Sequence, residues 1–135
     1  MRECEEIAEL LYELLSKLDR EVIIVVEGRT DKDVLSKIPP SYLQVITLRE
    51  VDTIDLSNKK ILILTDFDKE GEHLAKRIET YLTSKYSDII LLKHYRNRMK
   101  KLIGKWGEIY SGVKYLLRRG CLEKYIRYHE IDWEY

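Results

Sequence analysis

Four short apolar runs constrain this chain more than any other feature. Residues 21–26 (EVIIVV) form a β-branched, wholly apolar run after a single charge. That pattern fits a strand buried on both faces, as in a parallel sheet. The runs 43–48 (LQVITL), 61–65 (ILILT) and 88–92 (DIILL) read as three further strands. Helical patterns separate and flank them. Ile7, Leu10, Leu11, Leu14, Leu15 and Leu18 follow the i, i+3, i+4, i+7 spacing of an amphipathic helix. Residues 70–84 place Leu74, Ala75, Ile78, Tyr81 and Leu82 on one inward stripe. Thr30-Asp31-Lys32-Asp33 reads as an N-cap with an acid three residues on, opening a short helix to about residue 37, before the break at Pro39-Pro40. Strands alternating with helices predict an α/β fold: about four parallel strands with right-handed crossovers, an N-terminal helix and flanking helices. Beyond residue 95, Met99, Leu102, Ile103, Trp106, Ile109, Val113, Leu116 and Leu117 keep a helical rhythm that Gly104, Gly107 and Gly112 interrupt, which predicts two or more short helices.

The length of 135 residues suits one domain, with a core at about 20–93 and a helical, basic extension at 94–135. At 44% hydrophobic and 36% charged, the composition is that of a folded soluble chain and unlike disordered or collagenous ones. No apolar run approaches the roughly 18–20 residues of a membrane span, and the acidic start Met1-Arg2-Glu3-Cys4-Glu5-Glu6 is unlike a signal peptide. Cys4 and Cys121 alone make no disulfide framework, so a reducing cytoplasm is the expected location. No Cys/His spacing resembles a zinc site.

A net charge of zero hides an asymmetry. Residues 93–128 carry eleven basic side chains against two acidic ones. Such a block is either a polyanion contact or a solvated face in a charge-rich protein.

Ligands of open α/β sheets bind at the carboxyl ends of the strands. Two acidic clusters fall there: Glu27-Gly28-Arg29-Thr30-Asp31 after the first strand, and Asp66-Phe67-Asp68-Lys69-Glu70-Gly71-Glu72 after the third. Residues two apart in extended backbone share a side, so Asp66 and Asp68 can converge on a hard cation such as Mg²⁺, with Glu70 reaching it directly or through water. Glu27, on another strand end, can act as general acid/base or as a further ligand. Gly28 and Gly71 allow close approach of backbone or phosphate. The plainer readings are that Asp68 is an N-cap, that Glu70 and Glu72 complement the helix dipole, and that Thr30 and Asp33 form only a capping box.

The pair E-G-R-T-D (27–31) and D-F-D-K-E-G-E (66–72), in this order and strand context, resembles the Toprim domain of topoisomerases, bacterial-type primases, overcoming-lysogenization-defect nucleases and 5S ribosomal RNA maturases. The likeness spans about residues 20–93. The second motif is similar to the D-P-D-R-E-G-E of type IA topoisomerases, with Phe67 for proline and Lys69 for arginine; Phe67 points away from the carboxylate side. The resemblance implies Mg²⁺, with Mn²⁺ as a substitute. By motif position it makes Glu27 the general acid/base and Asp66, Asp68 and Glu70 the metal-binding acids. Asp31, Gly28 and Gly71 support them.

A topoisomerase needs a domain for its tyrosine nucleophile, a primase needs a zinc module, and the lysogenization-type nucleases carry an ATPase whose phosphate loop is not found here. The chain thus looks like a small stand-alone, archaeal-type Toprim protein, organised like the 5S ribosomal RNA maturases. The expected function is a Mg²⁺-dependent nuclease acting on RNA or DNA. Lys93, Arg96, Arg98, Lys101 and Lys105 would contact phosphates, and Trp106 and Tyr110 are stacking candidates unless they belong to the core. His94 follows the fourth strand and is either near the site or structural. The alternative is a nucleic-acid-binding or accessory module that uses Mg²⁺ only to bridge phosphates, alone, as a homodimer or with a partner enzyme. A phosphatase or receiver-type phosphoacceptor at Asp66 would leave Glu27-Gly28 and the basic block unused.

Overall fold

The computed structural model describes residues 2–126; Arg127 and the acidic tail at 129–135 lie outside them. Helix α1 (Arg2–Ser16) leads into β1 (Val22–Val26), α2 (Arg29–Leu35) and β2 (Gln44–Thr47). A 3₁₀ turn (Leu48–Thr53), β3 (Lys60–Ile63), α3 (Lys69–Lys85) and β4 (Ile90–Leu91) follow. Helix α4 (Lys93–Ile103), a 3₁₀ turn (Gly104–Trp106) and α5 (Ile109–Arg118) complete the order.

The four strands form one parallel sheet, ordered β2-β1-β3-β4. The alternation of side chains along β1 explains the three layers. Val22, Ile24 and Val26 point into a cluster with α1, α2, α4 and α5, while Ile23 and Val25 point into a second cluster with α3. Leu62 and Leu64 on one side, and Ile61 and Ile63 on the other, repeat this along β3 and the residue after it. Strand β4 is a two-residue edge with Ile90 exposed, shorter than the run 88–92 suggests, in keeping with the brevity of edge strands.

Three local expectations need correction. Helix α2 is not capped by Thr30: its N-cap is Gly28, without a side-chain bond, and the capping box sits at Thr47 and Glu50 instead. Leu10 and Tyr81 do not point inward. Leu10 faces a cleft between α1 and α4, and the Tyr81 hydroxyl bonds Asp52. The cysteines are joined: Cys4 of α1 and Cys121, just after α5, form a disulfide with Cα atoms 6.1 Å apart. Their separation of 117 residues hid the proximity, which the packing of α1 and α5 on one face of the sheet creates. The expected interruption of the last helices holds at two of the three glycines: Gly104 ends α4 and Gly107 takes φ 74°, whereas Gly112 lies inside α5, buried against Ile103 and Trp106. Among the described residues, no helix is long and apolar enough to cross a membrane.

Candidate functional site

Both acidic clusters stand at the carboxyl edge, because β1 and β3 are parallel neighbours with Val25 opposite Ile63. Glu27 and Asp66 are brought into contact: the Asp66 N–H donates to Glu27 Oε2 at 2.7 Å. Asp66 Oδ1 accepts from the N–H of Ile109 at 3.1 Å, and the backbone N–H groups of Gly28 and Tyr110 lie close enough to Asp31 to pull its carboxyl down in part. The first turn of α5 thus faces two carboxylates of the site. A free helix N-terminus carries partial positive charge, so the carboxylates and the helix satisfy each other.

The electrostatics follow from this geometry. Burial, then the charges of Glu27 and Asp68, push Asp66 up to about 6, against the pull of the Ile109 N–H. Burial and the Asp66 charge likewise raise Asp31. Carboxylates held together above their ordinary range favour a cation between them.

The loop carrying Asp66 is fixed from behind. Gly71 packs so closely that a Cβ there would lie 2.0 Å from the Asp66 carbonyl oxygen. The Thr65 hydroxyl donates to the Gly71 carbonyl at 2.7 Å, and Phe67 N–H donates to Gly107 O at 2.7 Å. Arg96 donates to the carbonyls of Ile63 (3.1 Å), Thr65 (2.9 Å) and Asp66 (3.1 Å), and its guanidinium pairs with Glu72. Burial alone would raise Glu72; its bonds to Lys100 and Arg96 outweigh it and hold the carboxyl below its ordinary value. Phe67 is buried under the Arg96 guanidinium, away from the carboxylates.

The expected metal acids differ in their settings. Asp68 is the N-cap of α3, accepting from Gly71 N–H at 2.7 Å. Glu70 is exposed in the first turn of that helix. Among the described residues, no three His, Cys, Asp or Glu side chains are grouped closely enough to hold a metal ion. The donors nevertheless suit a hard divalent cation. They are all oxygen, Asp66 carries unrelieved like charge, and Mg²⁺ needs only one or two carboxylates besides waters and substrate phosphate.

The basic candidates divide. Lys93 pairs with Glu79, Arg96 with Glu72 and Lys105 with Glu3. Arg98, Lys101 and His94 line the cleft between α1 and α4, about 430 Å³ in volume, to which none of the site carboxylates contributes. Trp106 packs on Tyr115, with ring centroids 5.1 Å apart, and Lys105 covers it; Lys114 lies over Tyr110. The sequence reading missed two groups beside the carboxylates. One is the α5 backbone, signalled only by the glycine-broken pattern before Ile109. The other is Arg49, which follows β2 at the same sheet edge and joins Arg29 along a cleft beside Glu27. The strand-end rule would have found it.

A family model described as "Toprim domain" matches residues 22–102, more than half of the chain. The chain is 36% identical over 106 residues to the UPF0292 protein of Thermococcus kodakarensis, covering 73% of this chain and 80% of that one. It is 30% identical over 112 residues to the UPF0292 protein of Archaeoglobus fulgidus, covering 81% and 90%. Among solved structures it is similar to a putative protein from Aquifex aeolicus, with TM-score 0.53 and 30% identity over 71% of this chain and 87% of that one. Toprim domains typically bind a divalent metal, and proteins of the family act on nucleic acids. Sheet order, paired acidic motifs and matched residues agree: this chain belongs to the Toprim domain family, alongside the small archaeal UPF0292 proteins.

Proposed function

We propose that the protein is a Mg²⁺-dependent nuclease that cleaves RNA or DNA phosphodiesters. The observation that carries this reading is the contact between Glu27 and Asp66 at two adjacent strand ends, with Asp66 pushed up to about 6. Asp66 and Asp68 would hold the metal, with Glu70 reaching it through water. A bound Mg²⁺, for which Mn²⁺ can substitute, supplies charge neutralisation at the phosphate and the leaving oxygen. Glu27 keeps Oε2 on the Asp66 N–H, which orients its carboxyl and leaves Oε1 to hold or release the proton of the leaving oxygen. Arg96 and Gly71 position the Asp66 backbone, and the first turn of α5 positions its side chain. In this reading the chain is a single domain, with the core at about 20–93 carrying the chemistry and a basic helical extension at 94–135.

End-labelled RNA and DNA, single- and double-stranded, incubated with Mg²⁺, Mn²⁺ or chelator, test the reading. Metal-dependent cleavage is expected, and Glu27→Ala and the double variant Asp66→Asn/Asp68→Asn are expected to abolish it. Cleavage that persists in the double variant would refute the assignment. A nucleic-acid-binding or accessory module, working as a homodimer or with a partner enzyme, is the reading left if salt-sensitive binding occurs without turnover. The N-cap role of Asp68 is the observation on its side.

A further inference from the structure

A cleft of about 490 Å³ opens beside Glu27, at the ends of β1 and β2. Its position follows from the sheet register. Val26 lies opposite Thr47, so the residues that leave the two strands, Glu27-Gly28-Arg29 and Leu48-Arg49, emerge side by side. Arg29 starts α2, and Arg49 lies in the 3₁₀ turn after β2.

The charges on this cleft are of two kinds. Lys32 is bound to Glu50, with Nζ 2.9 Å from Oε1 and 3.1 Å from Oε2. Glu50 also accepts the Thr47 N–H at 2.9 Å, and that bond, with Lys32, holds its carboxyl below the ordinary range. That pair is closed on itself and shapes the wall. Arg29 and Arg49 are exposed, and among the described residues neither side chain takes part in an ion pair or hydrogen bond. Asp33 and Glu27 are the remaining acids on the cleft, equal in number to the two arginines, and neither is paired with them.

Gly28 supplies an independent observation. Its backbone is extended, with φ −144° and ψ 178°, which any residue adopts, and a Cβ built on it meets nothing within 4 Å. Neither conformation nor packing requires glycine here. What its lack of a side chain does is leave the floor clear between the Glu27 carboxylate and the Arg29 guanidinium.

We propose that this cleft is the entry track for a single nucleic-acid strand, in which Arg29 and Arg49 grip the phosphate next to the one presented to Glu27 and Asp66. This rests on the nucleic-acid reading of the carboxylate site and adds the direction from which the strand arrives. Guanidinium groups match phosphate oxygens in a bidentate fork, which suits a grip that must hold register. The strand crosses Gly28 from the β2 side. Lys93, which opens α4, and Lys105, in the turn after it, are already paired with Glu79 and Glu3. A cleft of about 490 Å³ has room for an unpaired strand or a frayed end.

Binding of a fluorescent single-stranded oligonucleotide, followed by anisotropy across a salt series in chelator, tests the track without requiring turnover. Wild-type protein is compared with Arg29→Ala/Arg49→Ala and with Arg98→Ala/Lys101→Ala. The expected result is an affinity loss of at least tenfold in the first variant. Its slope of log affinity against log salt should be shallower by about 0.7, from the one phosphate no longer neutralised. The second variant should keep the wild-type slope, and a duplex of the same sequence should bind more weakly. Unchanged slope and affinity in Arg29→Ala/Arg49→Ala would overturn the track, as would no binding by the wild type. Cleavage that is metal-dependent but indifferent to both arginines would sink the track and leave the nuclease reading standing. Arginine-dependent binding with no cleavage would do the reverse.

Discussion

The ends of β3 and β1 lie side by side in one sheet, yet they are built in opposite ways. The loop after β3 is closed. Arg96 holds three of its neighbouring carbonyls, Gly71 packs onto its backbone, and α5 caps its Asp66 carboxylate. The loop after β1 is open, with free space above Gly28 and two arginines that the fold does not use. The contrast teaches a division of labour. A cluster of like charges persists only where surrounding structure over-determines it, whereas a strand of substrate needs unfilled space beside it.

The largest expected effect breaks the closed side at a distance. The Cys4–Cys121 bond closes a loop spanning 117 residues and ties α1 to the segment after α5. Chain entropy assigns such a link about 5 kcal/mol. Cys4→Ser should therefore lower stability by several kcal/mol in denaturant titrations, with reductant producing the same loss in the wild type and none in the variant.

The same substitution at two glycines sharpens the comparison. Gly71→Ala places a Cβ against the Asp66 carbonyl and should cost about 3 kcal/mol, read as a lower denaturation midpoint. Gly28→Ala enters open space and should change stability by less than about 0.5 kcal/mol while weakening oligonucleotide binding several-fold. Equal stability losses at both positions would erase the distinction between a closed and an open strand end.

A smaller effect runs in the opposite direction. Asp66 holds its proton more tightly in the folded chain, at about 6 against an ordinary 3.8. Its contribution to stability is therefore complete below about pH 4 and lost as pH rises through about 6. In chelator, Asp66→Asn should remove that loss while its side-chain oxygen still accepts the Ile109 N–H. A gain of about 1 kcal/mol at pH 7, and none at pH 4, is expected after discounting the solvent-facing part of the group. Denaturant titrations at the two pH values decide it.

How much of this could be read in the chain differs between the two strand ends. β-Branched, wholly apolar runs located the sheet because no amphipathic helix tolerates them, and the acids after residues 26 and 65 located the site because strand ends converge. Asp68 shows the limit: a carboxylate can cap a helix through one oxygen and ligate through the other, and only its bond to Gly71 N–H reveals the cap of α3. The basic block shows a similar limit. A tally of charge along the sequence cannot see that Glu72, Glu79 and Glu3 come alongside Arg96, Lys93 and Lys105. Arg49 went unnoticed because it belongs to no charge run and gains meaning only from the pairing of β1 with β2. The disulfide and the α5 cap on Asp66 depend on contacts between distant segments that no local pattern encodes.

The account turns on whether the closed strand end is a cation site. Calorimetric titration of Mg²⁺ into the metal-free wild type and into Asp66→Asn, at pH 7.5 without nucleic acid, tests this most directly. The account predicts saturable binding to the wild type that Asp66→Asn abolishes. Equal Mg²⁺ binding by the two proteins would contradict it.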